Sequence, residues 1–234
     1  MPVFRSEILA VLSALPGEGK STFACYFALS AASAGMRTLL IDGDTYNPSI
    51  STRLAAKRTK FVEVMRGTTS IRDSITKDPD RGLHILGAPD LSDVPVGMED
   101  LIQSRLAAFL AESRHHYDLI IIDTPAILAS AGNSTFLECA DHALLVVEWE
   151  RTDRKDVAEA LQLLGRDAAK LAGAILNKVA LNWYRHYENG RYLAAQTSRR
   201  DLRPGAPTRS AGQHPALGKI IDARPEDLRR SSRA

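Results

Sequence analysis

Eight residues near the start of the chain, Ala14-Leu-Pro-Gly-Glu-Gly-Lys-Ser21, carry the plainest chemistry in the sequence. Two glycines let successive backbone N–H groups turn inward around an oxyanion, and the Lys-Ser pair adds a cation and a metal-ligating oxygen. In this [AG]xxxxGK[ST] spacing Lys20 reaches β- and γ-phosphates and Ser21 ligates Mg²⁺. Pro16, Gly17, Glu18, Gly19, Lys20, Ser21 and Thr22 are the candidate nucleotide-binding residues. Two acidic sites follow, Asp42 and Asp44 after Thr38-Leu-Leu-Ile41, and Asp123 after Leu119-Ile-Ile-Ile122. A lone Asp after an apolar run commonly caps a turn. Three at matching run ends are expected on one sheet edge, where a Mg·nucleotide takes anionic groups.

Those residues need a particular scaffold. Short apolar, β-branched runs alternate with segments of helical length, which predicts an α/β fold: a doubly wound, mostly parallel sheet with helices on both faces. Strands are expected at Ile8–Leu12, Thr38–Ile41, Leu83–Leu86, Leu119–Ile122, Ala143–Val147 and Ala172–Leu176. Helices are expected over Lys20–Ala34, Glu99–His116 and Thr152–Leu164, with shorter ones near Phe61–Arg66 and Ile71–Thr76. A last helix is expected from about Asn182 to Ala195. The glycine-rich loop falls between the first strand and the first helix, the context that separates a P-loop from a chance match.

Composition narrows the class further. Hydrophobic residues make up 44% and charged residues 25% of 234, an ordinary globular balance. The net charge of +2 is too small to imply nucleic acid, and none is expected as a partner. Residues 198–234 carry +5 and four of the 11 prolines, which reads as a basic, disordered extension of a domain over 1–197. Cys25 and Cys139 sit in no metal or redox motif and read as reduced thiols. His115-His116 has no third ligand nearby and reads as a solvated helix end, and Trp149 and Trp183 read as packing residues. With no secretory signal and no apolar run near 20 residues, the chain is expected in the cytoplasm.

Together, Ser13-Ala-Leu-Pro-Gly-Glu-Gly-Lys-Ser-Thr22, Leu40-Ile-Asp-Gly-Asp44 with Pro48, and Ile120-Ile-Ile-Asp-Thr-Pro125 resemble the bacterial tyrosine kinases. These are P-loop ATPase domains of polysaccharide co-polymerases, within the wider chromosome-partitioning ATPase superfamily. Val62-Glu-Val-Met-Arg-Gly67, Ile71-Arg-Asp-Ser-Ile75, Leu101-Ile-Gln-Ser-Arg105 and Gly173-Ala-Ile-Leu-Asn-Lys-Val179 extend the resemblance over roughly Ile8 to Tyr192. It implies a tyrosine autokinase that uses ATP and Mg²⁺ and regulates exopolysaccharide or capsule synthesis and export. Lys20, Asp42, Asp44 and Asp123 would be catalytic, with Ser21, Asp42 and Asp123 around the metal and Asp42 with Asp44 supplying the base. Asn177 matches the residue that reads adenine, or it caps a turn. Tyr184, Tyr187 and Tyr192 match the phosphoacceptor cluster, or they are surface aromatics of a helix.

A membrane co-polymerase would be the partner, holding the chain at the cytoplasmic face of the inner membrane, and a homo-oligomer is a further expectation. Several features depart from the family. Position 15 is Leu, where the chromosome- and septum-positioning branch carries a signature lysine. Thr45-Tyr46-Asn47 stands where the kinases usually have arginine, and Ser130-Ala-Gly-Asn133 where they usually have aspartate. The family's upstream helix with its spaced Glu and Arg does not precede the first strand, so the isolated chain is expected to be mostly monomeric. The alternatives are a non-catalytic, ATP-dependent regulatory partner of a co-polymerase, or a positioning-type P-loop ATPase.

Overall fold

In a computed structural model of the chain, the described residues are 6–180 apart from 46, 55, 58–62, 64–67, 81, 90–98 and 130–133. The apolar runs become β1 (Glu7–Ser13), β2 (Thr38–Asp42), β4 (Leu83–Leu86), β5 (Leu119–Asp123), β6 (His142–Glu148) and β7 (Leu171–Asn177). They pair in parallel, and β3 (Thr76–Asp78) adds an antiparallel edge, in the order β3-β4-β2-β5-β1-β6-β7. Helices α1 (Lys20–Ser33) and α2 (Ser49–Arg53) cover one face, while α3 (Glu99–Ser113), α4 (Ser134–Cys139) and α5 (Arg154–Leu164) cover the other. Covering both faces explains why β2 and β5 are buried along their whole lengths and read as continuous apolar runs.

On one side Ala24 and Ala28, one helical turn apart, bring α1 close to Val11, Leu40 and Ile121. On the other, Leu106, Phe109 and Leu110 of α3 join Leu137, Ala160 and Leu164 over Ile8, Ile120 and Ile122. Cys25 and Cys139 are partly buried free thiols packed against opposite faces of the sheet.

One expected helix is different. The segment Ile71–Thr76 is a single 3₁₀ turn, Ile71–Ser74, that gives way to β3. Ser70 opens the turn by accepting from Arg72 N while its own N–H donates to Asp73. From Ile75 the backbone is extended, and Thr76 pairs with Ile85, so β-branched residues and a free sheet edge override the helical spacing. The expected helix near Phe61–Arg66 lies mostly outside the described residues. The helix from Asn182, Trp183, the three tyrosines and the 198–234 tail lie wholly outside them. Among the described residues no helix is long and apolar enough to cross a membrane.

Candidate nucleotide site

The three acidic residues meet because of strand register. Asp42 and Asp123 are direct partners at the ends of β2 and β5, and Asp123 is also the partner of Val11 in β1. Strand β1 runs two residues further, so the loop after Ser13 is delivered over the ends of its neighbours. Gly43 completes the corner: its N–H donates to the Asp123 carbonyl at 2.8 Å, and a Cβ there would lie 2.7 Å from the same oxygen.

Lys20, the first residue of α1, is buried with its Nζ donating to Asp123 Oδ1 at 2.6 Å. Ser21 Oγ lies 3.4 Å from that ammonium and Asp44 Oδ2 lies 3.7 Å from it. Burial pushes the Asp123 carboxyl up to about 6, against the pull of Lys20. Its other oxygen, Oδ2, is buried and has no hydrogen-bond partner among the described residues. Asp42 is also fully buried, and there too burial raises the carboxyl. Ser51 opposes that shift by donating to Asp42 Oδ2 from its N–H at 2.8 Å and its hydroxyl at 2.6 Å. Asp44 is the most accessible of the three at 13% exposed, with Oδ1 accepting from Asn47 N at 2.9 Å.

A second set of residues braces the phosphate loop from behind. Glu18 is fully buried, and its Oε2 accepts from Leu15 N at 2.6 Å. Its Oε1 accepts from Glu148 N and the Thr152 hydroxyl, tying the loop to the end of β6. Three loop carbonyls are held in turn: Pro16 by Arg151 at 3.2 Å, Gly17 by Lys178 at 2.7 Å, and Glu18 by the Asn177 side chain at 2.8 Å. Glu148 Oε2 joins the two cations, 2.8 Å from Arg151 and 3.0 Å from Lys178. Gly19, at φ +93°, starts α1, and a methyl group there would overlap the Asn177 amide.

Lys20, Ser21, Asp42, Asp44 and Asp123 are therefore brought together at one edge, as their spacing predicts. Glu18 is there through its backbone, while its side chain acts as a buried strut. Asn177 reaches the loop backbone, and the same amide serves as a clamp. The sequence reading missed Ser51, Glu148, Arg151 and Lys178. Lys178 stands directly after β7 and Arg151 three residues after β6, the one signal that could have flagged them. It also missed Arg53, whose Nη1 donates to Thr22 Oγ1 at 3.2 Å beside the loop. His115 is exposed and His116 pairs with Arg72, well apart from this edge.

The donor set suits a hydrated divalent cation rather than a closed cage. Among the described residues no three His, Cys, Asp or Glu side chains converge on a metal position. Mg²⁺ keeps several waters and takes one or two protein oxygens plus phosphate. A buried, unpartnered carboxylate oxygen beside a P-loop serine is what such a water would satisfy.

Residues 6–167 match the family described as AAA domain. The chain is 36% identical over 180 residues to the succinoglycan biosynthesis transport protein ExoP of Rhizobium meliloti, covering 76% of this chain and 23% of that protein. It is 33% identical over 190 residues to the tyrosine-protein kinase YwqD of Bacillus subtilis, covering 80% of this chain and 78% of that one. The kinase domain of the Escherichia coli tyrosine kinase ETK superposes with a TM-score of 0.66 at 25% identity, over 76% of this chain and 69% of that domain.

Proposed function

Because this chain belongs to the AAA-domain family and, within it, to the bacterial tyrosine kinases, we propose that it transfers the γ-phosphoryl group of Mg·ATP to tyrosine hydroxyls. Tyr184, Tyr187 and Tyr192 are the first acceptors in this reading. The observation that carries it is the buried Lys20–Asp123 pair with one carboxylate oxygen left without a hydrogen-bond partner among the described residues.

Phosphoryl transfer asks little covalent chemistry of the protein; positioning and charge do most of the work. Lys20 exchanges its contact with Asp123 for the β- and γ-phosphates, and the loop's N–H groups hold the remaining oxygens. Ser21 would hold Mg²⁺, with Asp42 and Asp123 placed to hold its waters. Bound there, the ion would neutralise charge on the β- and γ-phosphates. The phenol oxygen forms a bond to the γ-phosphorus as the bond to the leaving ADP oxygen breaks, and a carboxylate takes the phenol proton. Of the Asp42–Asp44 pair, Asp44 suits that proton transfer better, since it is the more accessible. Asn177 lies near enough to the loop to meet a purine with the face of its amide not used by Glu18.

By the same reading, residues 1–197 form the kinase domain and 198–234 a basic tail. A membrane polysaccharide co-polymerase is the partner that brings the chain to the cytoplasmic face of the inner membrane, copies of the chain assemble there, and exopolysaccharide synthesis and export are what it regulates. ExoP's name and the chain's match to about a quarter of that protein support this.

One observation favours a second reading, a nucleotide-driven switch without transfer. Asp42 Oδ2 is already engaged twice by Ser51, which suits a latch between β2 and α2 better than a base. Incubation with Mg·ATP followed by mass spectrometry separates the two. Phosphate on the tyrosine cluster, lost in the Tyr184/Tyr187/Tyr192 triple Phe variant and reduced on the order of 100-fold in Asp44→Asn, is expected of the kinase. Normal ATP binding without phosphotyrosine, alone or with a co-polymerase cytoplasmic segment fused on, would establish the switch instead.

A further inference from the structure

The end of the sheet opposite the phosphate loop holds a cavity of about 420 Å³ that the nucleotide site does not use. It lies where β2, β4 and β5 begin, beside the last turn of α3. Arg37, Arg72, Lys77, His84 and His116 line it, and among the described residues no carboxylate does. Asp118 and Glu112 pair with the two arginines from outside, each at 2.6 Å. Arg72 and Glu112 are 45% and 60% exposed, so water competes for that pair and the guanidinium is readily redirected.

Other groups are also poised to meet an anion. Arg72 Nη2 lies 2.9 Å from His116 Nε2, and because a guanidinium only donates, that nitrogen carries no proton in this contact. Lys77 has no ion-pair partner among the described residues. His84 Nδ1 is 2.8 Å from the Tyr117 hydroxyl, and burial, then Lys77, holds its imidazole below its ordinary range. The N–H groups of His115, His116 and Tyr117 take the carbonyls of Glu112 and Ser113, so the end of α3 leaves those acceptors covered. Phe109 and Ile75 supply an apolar wall. Redirectable donors set around an apolar wall suit an oxyanion carried on an aromatic ring.

We propose that this cavity is a phosphotyrosine site, filled by the phosphorylated tail of a second copy of this chain. It rests on the tyrosine-kinase reading, which supplies the ligand. The second copy follows from chain length. The last described residue, Ala180, lies three beyond β7, and β7 is four strands from β2. Crossing that width and the length of β2 over the surface takes roughly 35 Å. Four residues to Tyr184 span at most about 14 Å, and seven to Tyr187 at most about 25 Å. Neither reaches the cavity of its own chain, so a neighbour's cavity is their open destination. Tyr192, twelve residues on, spans up to about 43 Å, and the second copy is therefore required for phosphorylated Tyr184 and Tyr187 alone.

The full chain, titrated with a synthetic peptide of residues 181–195 phosphorylated at Tyr187, its unphosphorylated twin, and inorganic phosphate as competitor, tests the proposal by fluorescence anisotropy. The phosphopeptide is expected to bind at least tenfold tighter than its twin. Arg72→Ala combined with Lys77→Ala should abolish that preference and leave ADP affinity and the unfolding midpoint unchanged; both positions are exposed. Arg72→Lys should retain part of the preference. Equal binding of the two peptides, or unaltered binding by the double variant, overturns the site. Displacement by inorganic phosphate at the phosphopeptide's own concentration makes it a small-anion site and overturns it as well. Because the phosphate is supplied by synthesis, peptide binding reports on the site alone, whereas absence of phosphotyrosine after ATP incubation counts against the kinase reading alone.

Discussion

Strand β5 is bracketed by two aspartates that behave in opposite ways. Asp118, just before it, accepts from the Arg37 side chain at 2.6 Å and from the Arg37 N–H at 2.9 Å, with both residues open to solvent. Arg37 holds that carboxyl below the usual carboxylate range. Asp123, at the other end, is wholly buried, has a cation on one oxygen and no hydrogen-bond partner on the other among the described residues, and is pushed up to about 6. The residue type, the strand and the formal charge are shared. What differs is water: where it is present a charge is completed locally and serves as structure, and where it is excluded the charge is left unfinished and available to a ligand.

The sharpest way to break this contrast is to remove the cation from the buried end. Lys20→Met should cost on the order of 100-fold in ATP affinity by calorimetry, because the phosphates lose their charged donor. The same variant leaves Asp123 buried without its cation, so the nucleotide-free protein should also unfold earlier. Undiminished heat of ATP binding would remove Lys20, and with it the P-loop reading.

A smaller effect separates the two carboxylates by the sign of their pH dependence. A folded carboxyl with a raised pKa holds its proton more tightly than the unfolded chain does. Asp123 should therefore lower stability as pH rises from about 4 to about 6, by up to about 3 kcal/mol, with no further change above that. Asp118, depressed, contributes above the ordinary carboxylate range and loses that contribution as pH falls through its folded value. Urea titrations of nucleotide-free protein between pH 4 and 7 should show the falling limb flattened in Asp123→Asn. A limb of unchanged slope in that variant would mean that burial at β5 does not set it.

The least effect belongs to the solvated end. Arg37→Ala should cost no more than about 1 kcal/mol in the same urea assay, since the guanidinium is 61% exposed. A loss well beyond that would show the outer pair to be a structural keystone and dissolve the distinction.

Much of this was legible in the sequence, and for a physical reason. Runs such as Leu119–Ile122 are fully buried because helices cover both faces, so apolar continuity and strand position coincide. The glycines, Lys20 and Ser21 show themselves by local spacing, as do acids standing directly after such runs. What spacing could not supply is which way a side chain turns. Glu18 sits inside the motif, yet its carboxylate turns from the ligand side to bind Leu15, Glu148 and Thr152. Ser51 meets Asp42 only because α2 folds back over β2, a contact no local pattern encodes. The 3₁₀ turn at Ile71–Ser74 has helical spacing as well, and only the neighbouring β4 explains why the chain extends at Thr76.

The brace behind the phosphate loop has a bearing on where this domain can be cut. The AAA-domain match ends at residue 167, ten residues short of Asn177 and eleven short of Lys178. Yet Asn177 and Lys178 hold two of the three clamped carbonyls of a loop that begins some 160 positions earlier. The stretch matched to that family and the unit that keeps its own shape thus have different borders. A fragment trimmed to the first would keep every letter of the motif while losing β7, and with it the outer wall that keeps the loop's N–H groups aimed at a phosphate.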